Sequence, residues 1–158
     1  MNNRRAVPVL LAALVVAVLT LPAGADSGTV TAHVTVGTSP GALDVELSVR
    51  PTRAGQATRA TAVISNHGDQ PINDMTVTLH VSEANLQVRG ATVTVDTLRP
   101  RKHTRINWEL CSTQPGTYLI VARAQAFYAT TPIEAESPAV EFAVEPAPGR
   151  APVNCPSW

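Results

Sequence analysis

ATRATAVISNHGDQPINDMTVTLHVS, residues 57–82, decides the fold. Ala60, Ala62 and Ile64 alternate with polar neighbours, and Val77, Leu79 and Val81 do the same. Alternation at period 2 gives a strand one buried face and one wet face. Between the two runs lies Asn66-His67-Gly68-Asp69-Gln70-Pro71, dense in residues that favour turns. Two such strands around a Gly/Pro/Asn loop form the centre of an antiparallel sandwich. Asn66 and Gly68 suit a turn in which the backbone takes positive φ.

The pattern extends in both directions. Upstream, Leu43, Val45, Leu47 and Val49 alternate with Asp44, Glu46, Ser48 and Arg50, and a first strand is predicted from Val30, Ala32, Val34 and Val36. Downstream come a weaker Leu86-Gln87-Val88, then Val93-Thr94-Val95, with Leu98 plugging the following loop. Ile106, Trp108 and Leu110 alternate with Arg105, Asn107 and Glu109; residues 117–126 form the most apolar strand; Val140, Phe142 and Val144 form the last. Trp108, followed by Phe142, is expected to be the largest piece of the core. Gly116 lets the chain reverse before Tyr118, whose ring can be buried while its hydroxyl reaches nearby backbone, as in a tyrosine corner. No stretch of 26–158 has a helical period with caps, and turn signals recur at about the 8–12-residue spacing of a sandwich. The predicted fold is all-β, an immunoglobulin-like antiparallel β-sandwich of about seven strands over residues 26–145.

Composition narrows the setting. The N-terminus has a basic Arg4-Arg5 region, an apolar run from Ala6 to Leu21 and a small-residue Ala23-Gly24-Ala25 site. This predicts a secretory signal peptide over 1–25, cleaved after Ala25, with no stable membrane insertion thereafter. An uncleaved anchor is the alternative, although Pro8 interrupts a run that needs about 20 apolar residues to span. Cleavage leaves 10 basic against 12 acidic residues, a net −2. That provides no clustered Lys/Arg surface for nucleic acid.

The segments Ile64-Ser65-Asn66-His67-Gly68, the alternating strand at 77–81, Leu98-Arg99-Pro100, Ile106-Asn107-Trp108 and Pro115-Gly116-Thr117-Tyr118 resemble bacterial CARDB-like domains. Those are cell-adhesion-related Ig-like modules. The pattern is similar, too, to the small Ig-like modules appended to some bacterial glycoside hydrolases. The resemblance covers roughly residues 45–144 and implies a sandwich fold in an interaction module.

Cys111 and Cys155 are the two cysteines of a chain that reads as exported, so one disulfide is expected. Cys111 would end a strand at the sheet end from which the Pro-rich tail, 146–158, emerges. The alternative is two free thiols.

Catalytic chemistry finds no purchase. The letters G-x-S-x-G occur once, at Gly37-Thr38-Ser39-Pro40-Gly41, but as a turn that breaks the first predicted strand and not as a strand-to-helix elbow, and there is no phosphate-cradling glycine loop. His33, His67, His80 and His103 are scattered, and no CxxC or HxxxH spacing calls for zinc. Neither a cofactor nor a resident metal is expected. No Asn-x-Ser/Thr site occurs.

Two surfaces are candidates for binding. In an Ig-like sandwich the B–C, D–E and F–G loops share one end. That end would gather Asp69 and Arg101 with Phe127, Tyr128 and Glu134 of a long F–G loop over residues 127–137. The second candidate is the outer face of the C–F–G sheet, with Leu119, Val121 and Arg123 beside His80, unless the N-terminal strand covers it. It suits a protein partner or a homodimer. The expected function is a secreted, non-catalytic interaction module binding a protein or carbohydrate at or outside the bacterial cell surface. The rivals are a protease inhibitor presenting its F–G loop and an extracytoplasmic metal-binding protein.

Overall fold

The computed structural model describes residues 30–32, 42–149 and 153–157. The leader over 1–25, and Val34 and Val36 of the first predicted strand, lie outside them. The strands among the described residues are β1 (Val30–Ala32), β2 (Leu43–Val49), β3 (Thr52–Arg53), β4 (Thr58–Asn66), β5 (Ile72–Val81), β6 (Leu86–Arg89), β7 (Thr92–Leu98), β8 (His103–Ser112), β9 (Gly116–Tyr128), β10 (Thr131–Glu136) and β11 (Val140–Glu145). One sheet has the order β1-β2-β4-β8-β6; the other is β3-β11-β9-β5-β7, with β10 also on β9. The molecule is an all-β, Ig-like sandwich. The strand count exceeds seven because connecting segments also pair: β3 lies parallel on β11, β6 on the end of β8 and β10 on β9.

Period-2 burial builds the core. Along β2 and β4 every second residue is buried, so Val45, Leu47 and Val49 face inward beside Ala60, Ala62 and Ile64. From the other sheet come Met75, Val77 and Leu79 of β5 with Tyr118, Ile120, Ala122 and Ala124 of β9. Trp108, 1% exposed, and Phe142 are the bulkiest fully buried side chains. Tyr118 and Phe142 meet with ring centroids 5.8 Å apart, tilted 34°, within the range of favourable aromatic pairs.

The end of the sandwich near the tail is closed covalently and by turns. The Tyr118 hydroxyl donates to the Gln114 carbonyl at 2.9 Å and lies 2.8 Å from Ser112 Oγ. That is the tyrosine corner. Cys111 and Cys155 are joined, with Cα atoms 5.8 Å apart. Gly55 ties both sheets there: its N–H donates to Ser112 O at 2.8 Å, while the neighbouring Ala54 N–H donates to Glu145 O. It has φ +80°, and a Cβ would sit 2.6 Å from Val153 Cγ1 of the tail. Only glycine fits this close approach.

Candidate functional site

At the opposite end the turns are organised by one buried amide. Asn66 Nδ2 donates to Gln70 O at 2.9 Å and to Leu98 O at 3.0 Å, while its Oδ1 accepts the Gly68 N–H at 2.9 Å. Its backbone N–H donates to Lys102 O. The turn at 67–71 and the turn at 99–102 are thereby held together. Asn66 and Gly68 do not have the positive φ expected of them; Asp74, Arg101 and Ala129 do. The side chain of Asn66 supplies the turn hydrogen bonds, so its backbone need not be left-handed. Gly68 is required for space instead: a Cβ there would lie 2.6 Å from Tyr128 Cε2.

Tyr128 fills that space. Its hydroxyl donates to Asp69 Oδ1 at 2.6 Å and accepts the N–H groups of Asp69 at 3.2 Å and Gln70 at 3.3 Å. The Tyr128 hydrogen bond holds the Asp69 carboxyl below its ordinary 3.8; a backbone hydrogen bond and the nearby Arg101 charge add to this.

The long F–G loop is absent. β10 pairs with β9 from Thr131 opposite Tyr128 to Glu136 opposite Arg123, leaving Ala129 and Thr130 as a two-residue turn with Ala129 at φ 54°. Pro132, which argues against a central strand, is tolerated because β10 pairs on one side alone. Where β10 gives way to β11, Ser137 bridges the irregularity. Its N–H donates to Ala122 O, and its Oγ accepts the Ala122 N–H at 3.0 Å.

This hairpin divides the loop-end candidates. Adjacent strand residues point to opposite faces. Tyr128 therefore joins Asp69 and Arg101 at the loop end, whereas Phe127 turns to the outer face of the sheet. Glu134 goes with it: it pairs with Arg123 and accepts a hydrogen bond from Gln125 Nε2. Glu134 does not face the basic 99–102 turn as expected.

The outer face is continuous along β9. Leu119, 46% exposed, and Phe127, 45% exposed, are the large hydrophobic side chains that remain exposed among the described residues. They lie eight residues apart on one face, a span of about 26 Å. Val121, Arg123 and Gln125 fill the interval. On β5, Thr78 stands opposite Arg123 and His80 opposite Val121; on β11, Glu141 stands opposite Leu119. Beside Phe127 a shallow cleft of about 580 Å³ is lined by Asp74, Thr76, Gln125, Pro132 and Glu134, among others. The register slips between Asn73 and Thr76, with Asp74 at φ 50°. This irregularity, which places Asp74 in the cleft lining, had no signature in the alternating sequence. The described part of the N-terminal strand, β1, pairs with β2 in the other sheet and does not cover this face. Among the described residues no three His, Cys, Asp or Glu side chains converge to hold a metal.

No protein-family model and no curated protein matches the sequence. Solved structures do. A CARDB domain from Pyrococcus furiosus, solved with di-metal ions, is 18% identical with a TM-score of 0.50, covering 66% of this chain and 94% of its own. A human PapD-like domain is 12% identical at a TM-score of 0.45, covering 75% and 96%. An exo-β-N-acetylglucosaminidase from Vibrio harveyi is 15% identical at 0.36, covering 74% of this chain and 19% of its own. The chain shares the Ig-like fold of the CARDB domain, as the motif resemblance implied. The likeness to the glycosidase is too slight to carry an argument.

Proposed function

We propose that the chain is a secreted, non-catalytic Ig-like interaction module that binds a protein partner at or outside the bacterial cell surface, through the outer face of β9. The observation that carries this is the strip from Leu119 to Phe127: two exposed large hydrophobics on one face of one strand, bordered by threonines and an Arg–Glu pair. Apolar anchors within a polar surround are the anatomy of a protein-binding patch. The disulfide supports an oxidising compartment. The inhibitor alternative loses its support, because residues 127–137 form a paired strand and a tight turn in place of a projecting loop.

The test is capture from culture supernatant and envelope extract with three immobilised forms. Wild type and Tyr128→Phe are expected to retain the same partner, and Leu119→Ser with Phe127→Ser to lose it while remaining folded by circular dichroism. Loss in Tyr128→Phe alone would move the site to the loop end.

A further inference from the structure

The opposite sheet carries a second, chemically different surface. Outward side chains of β2, β4 and β8 line an open groove of about 840 Å³ that contains Arg50, Arg59 and Arg105. Val49 stands opposite Ala60, so the same register brings Arg50, just past β2, next to Arg59. Arg59 faces Glu109 across the β4–β8 ladder, but that carboxylate is taken by Arg89 on the far side, at 3.2 Å. Arg105 lies on β8 opposite Val63. Among the described residues, none of the three arginines has a carboxylate within 4.0 Å. Like charges on neighbouring strands oppose one another, so an anion lodged between them relieves a cost the free protein carries.

The neighbours of these arginines narrow the class of anion. Thr61 donates to Asn107 Oδ1 at 2.9 Å, leaving Asn107 Nδ2 without an acceptor among the described residues. Hydroxyl and amide groups beside guanidinium forks match a ligand that carries both hydroxyls and carboxylates. No aromatic residue lines the groove. Nucleic-acid bases therefore find no stacking platform. An acidic peptide would want a deep apolar pocket for an anchor side chain, and the outward apolar side chains here are only those of Val63 and Ala57, since Val49 points into the core.

We propose that this groove is a binding site for an acidic polysaccharide, a chain of sugars bearing carboxylates. The site lies on the sheet facing away from Leu119 and Phe127, and it is independent of the protein-binding role assigned to β9.

The test uses the secreted chain, disulfide intact, titrated with polygalacturonate, hyaluronate, neutral dextran, a single-stranded DNA oligonucleotide and polyglutamate. Binding of a carboxylated polysaccharide is expected at low salt, with strong weakening near ~0.5 M NaCl, where the Debye length is only a few ångströms. Arg59→Gln and Arg105→Gln are each expected to weaken it about tenfold, as loss of a charged hydrogen bond does. Arg59→Lys, which keeps the charge without the fork, should fall between. Arg101→Gln, at the loop end, serves as a control and should leave affinity unchanged. No binding of either carboxylated polysaccharide, equal affinity in the folded Arg59→Gln and Arg105→Gln variants, or tighter binding of DNA or polyglutamate overturns the proposal.

Discussion

The Tyr128 hydroxyl donates to Asp69 Oδ1 at 2.6 Å while accepting the Asp69 and Gln70 N–H groups. One phenol thus ties the end of β9 to the turn between β4 and β5, across 59 residues of sequence. It also explains why an aromatic doublet at the end of a strand does not leave both rings in solvent.

This bond has a pH signature. The folded-state value of Asp69 lies below its ordinary 3.8. The interaction therefore stabilises the fold above that value, and the stabilisation is lost as pH falls through the lower folded-state one. Tyr128→Phe is expected to return the Asp69 titration toward 3.8, followed by the side-chain carboxyl carbon shift in NMR. The difference in thermal stability between the two forms should narrow in acid. An unchanged Asp69 titration would show that Tyr128 is not its main perturber.

Gly68→Ala places a methyl 2.6 Å from the Tyr128 ring and should displace it. The expected loss is about 1–3 kcal/mol, as for other overpacked sites. Because both substitutions break one contact, Gly68→Ala and Tyr128→Phe should be non-additive in a double-mutant cycle. Additive losses in urea unfolding would uncouple them.

Trp108 is fully buried, and its indole N–H has no partner among the described residues. Trp108→Ala should cost about 3–5 kcal/mol, whereas Trp108→Phe, which keeps most of the packing and removes the orphaned donor, should cost far less. In a Trp158→Phe background the remaining emission should be blue-shifted. Emission at the solvent-exposed wavelength would refute the core placement.

The disulfide closes a 44-residue separation. Replacing both cysteines by alanine should destabilise by about 4 kcal/mol on the chain-entropy model. Intact mass of the protein purified without reductant should show thiols available for alkylation only after reduction. Tail release should also free the space that Val153 occupies beside Gly55, making Gly55→Ala better tolerated in the double-alanine background.

That Trp108 and Phe142 point into the core was written locally, in the alternation of their own strands, although the pairing of β4 with β8 and of β9 with β11 is what brings them into one core. Strict alternation assigns each residue to a face without any knowledge of its neighbours. That is why the inward set of β2, β4, β5 and β9, the outward positions of Leu119, Val121 and Arg123, and the tyrosine corner of Tyr118 could be read from the chain alone. With two cysteines in a chain whose N-terminus reads as a secretory leader, the pairing of Cys111 with Cys155 followed too.

Long-range pairing decided the rest. Residues 131–136 contain Pro132 and two glutamates, a composition that reads as a loop, and only the open edge of β9 makes them a strand. That pairing sent Phe127 and Glu134 to the outer face and left Tyr128 with Asp69. The role of Gly68 likewise depended on a ring 60 residues away, and the company of Arg50, Arg59 and Arg105 on the order of three strands. Residue type and spacing along the chain state what a side chain can do. Which charges and rings stand beside it depends on contacts between distant segments, and those are settled only when the two sheets close on each other.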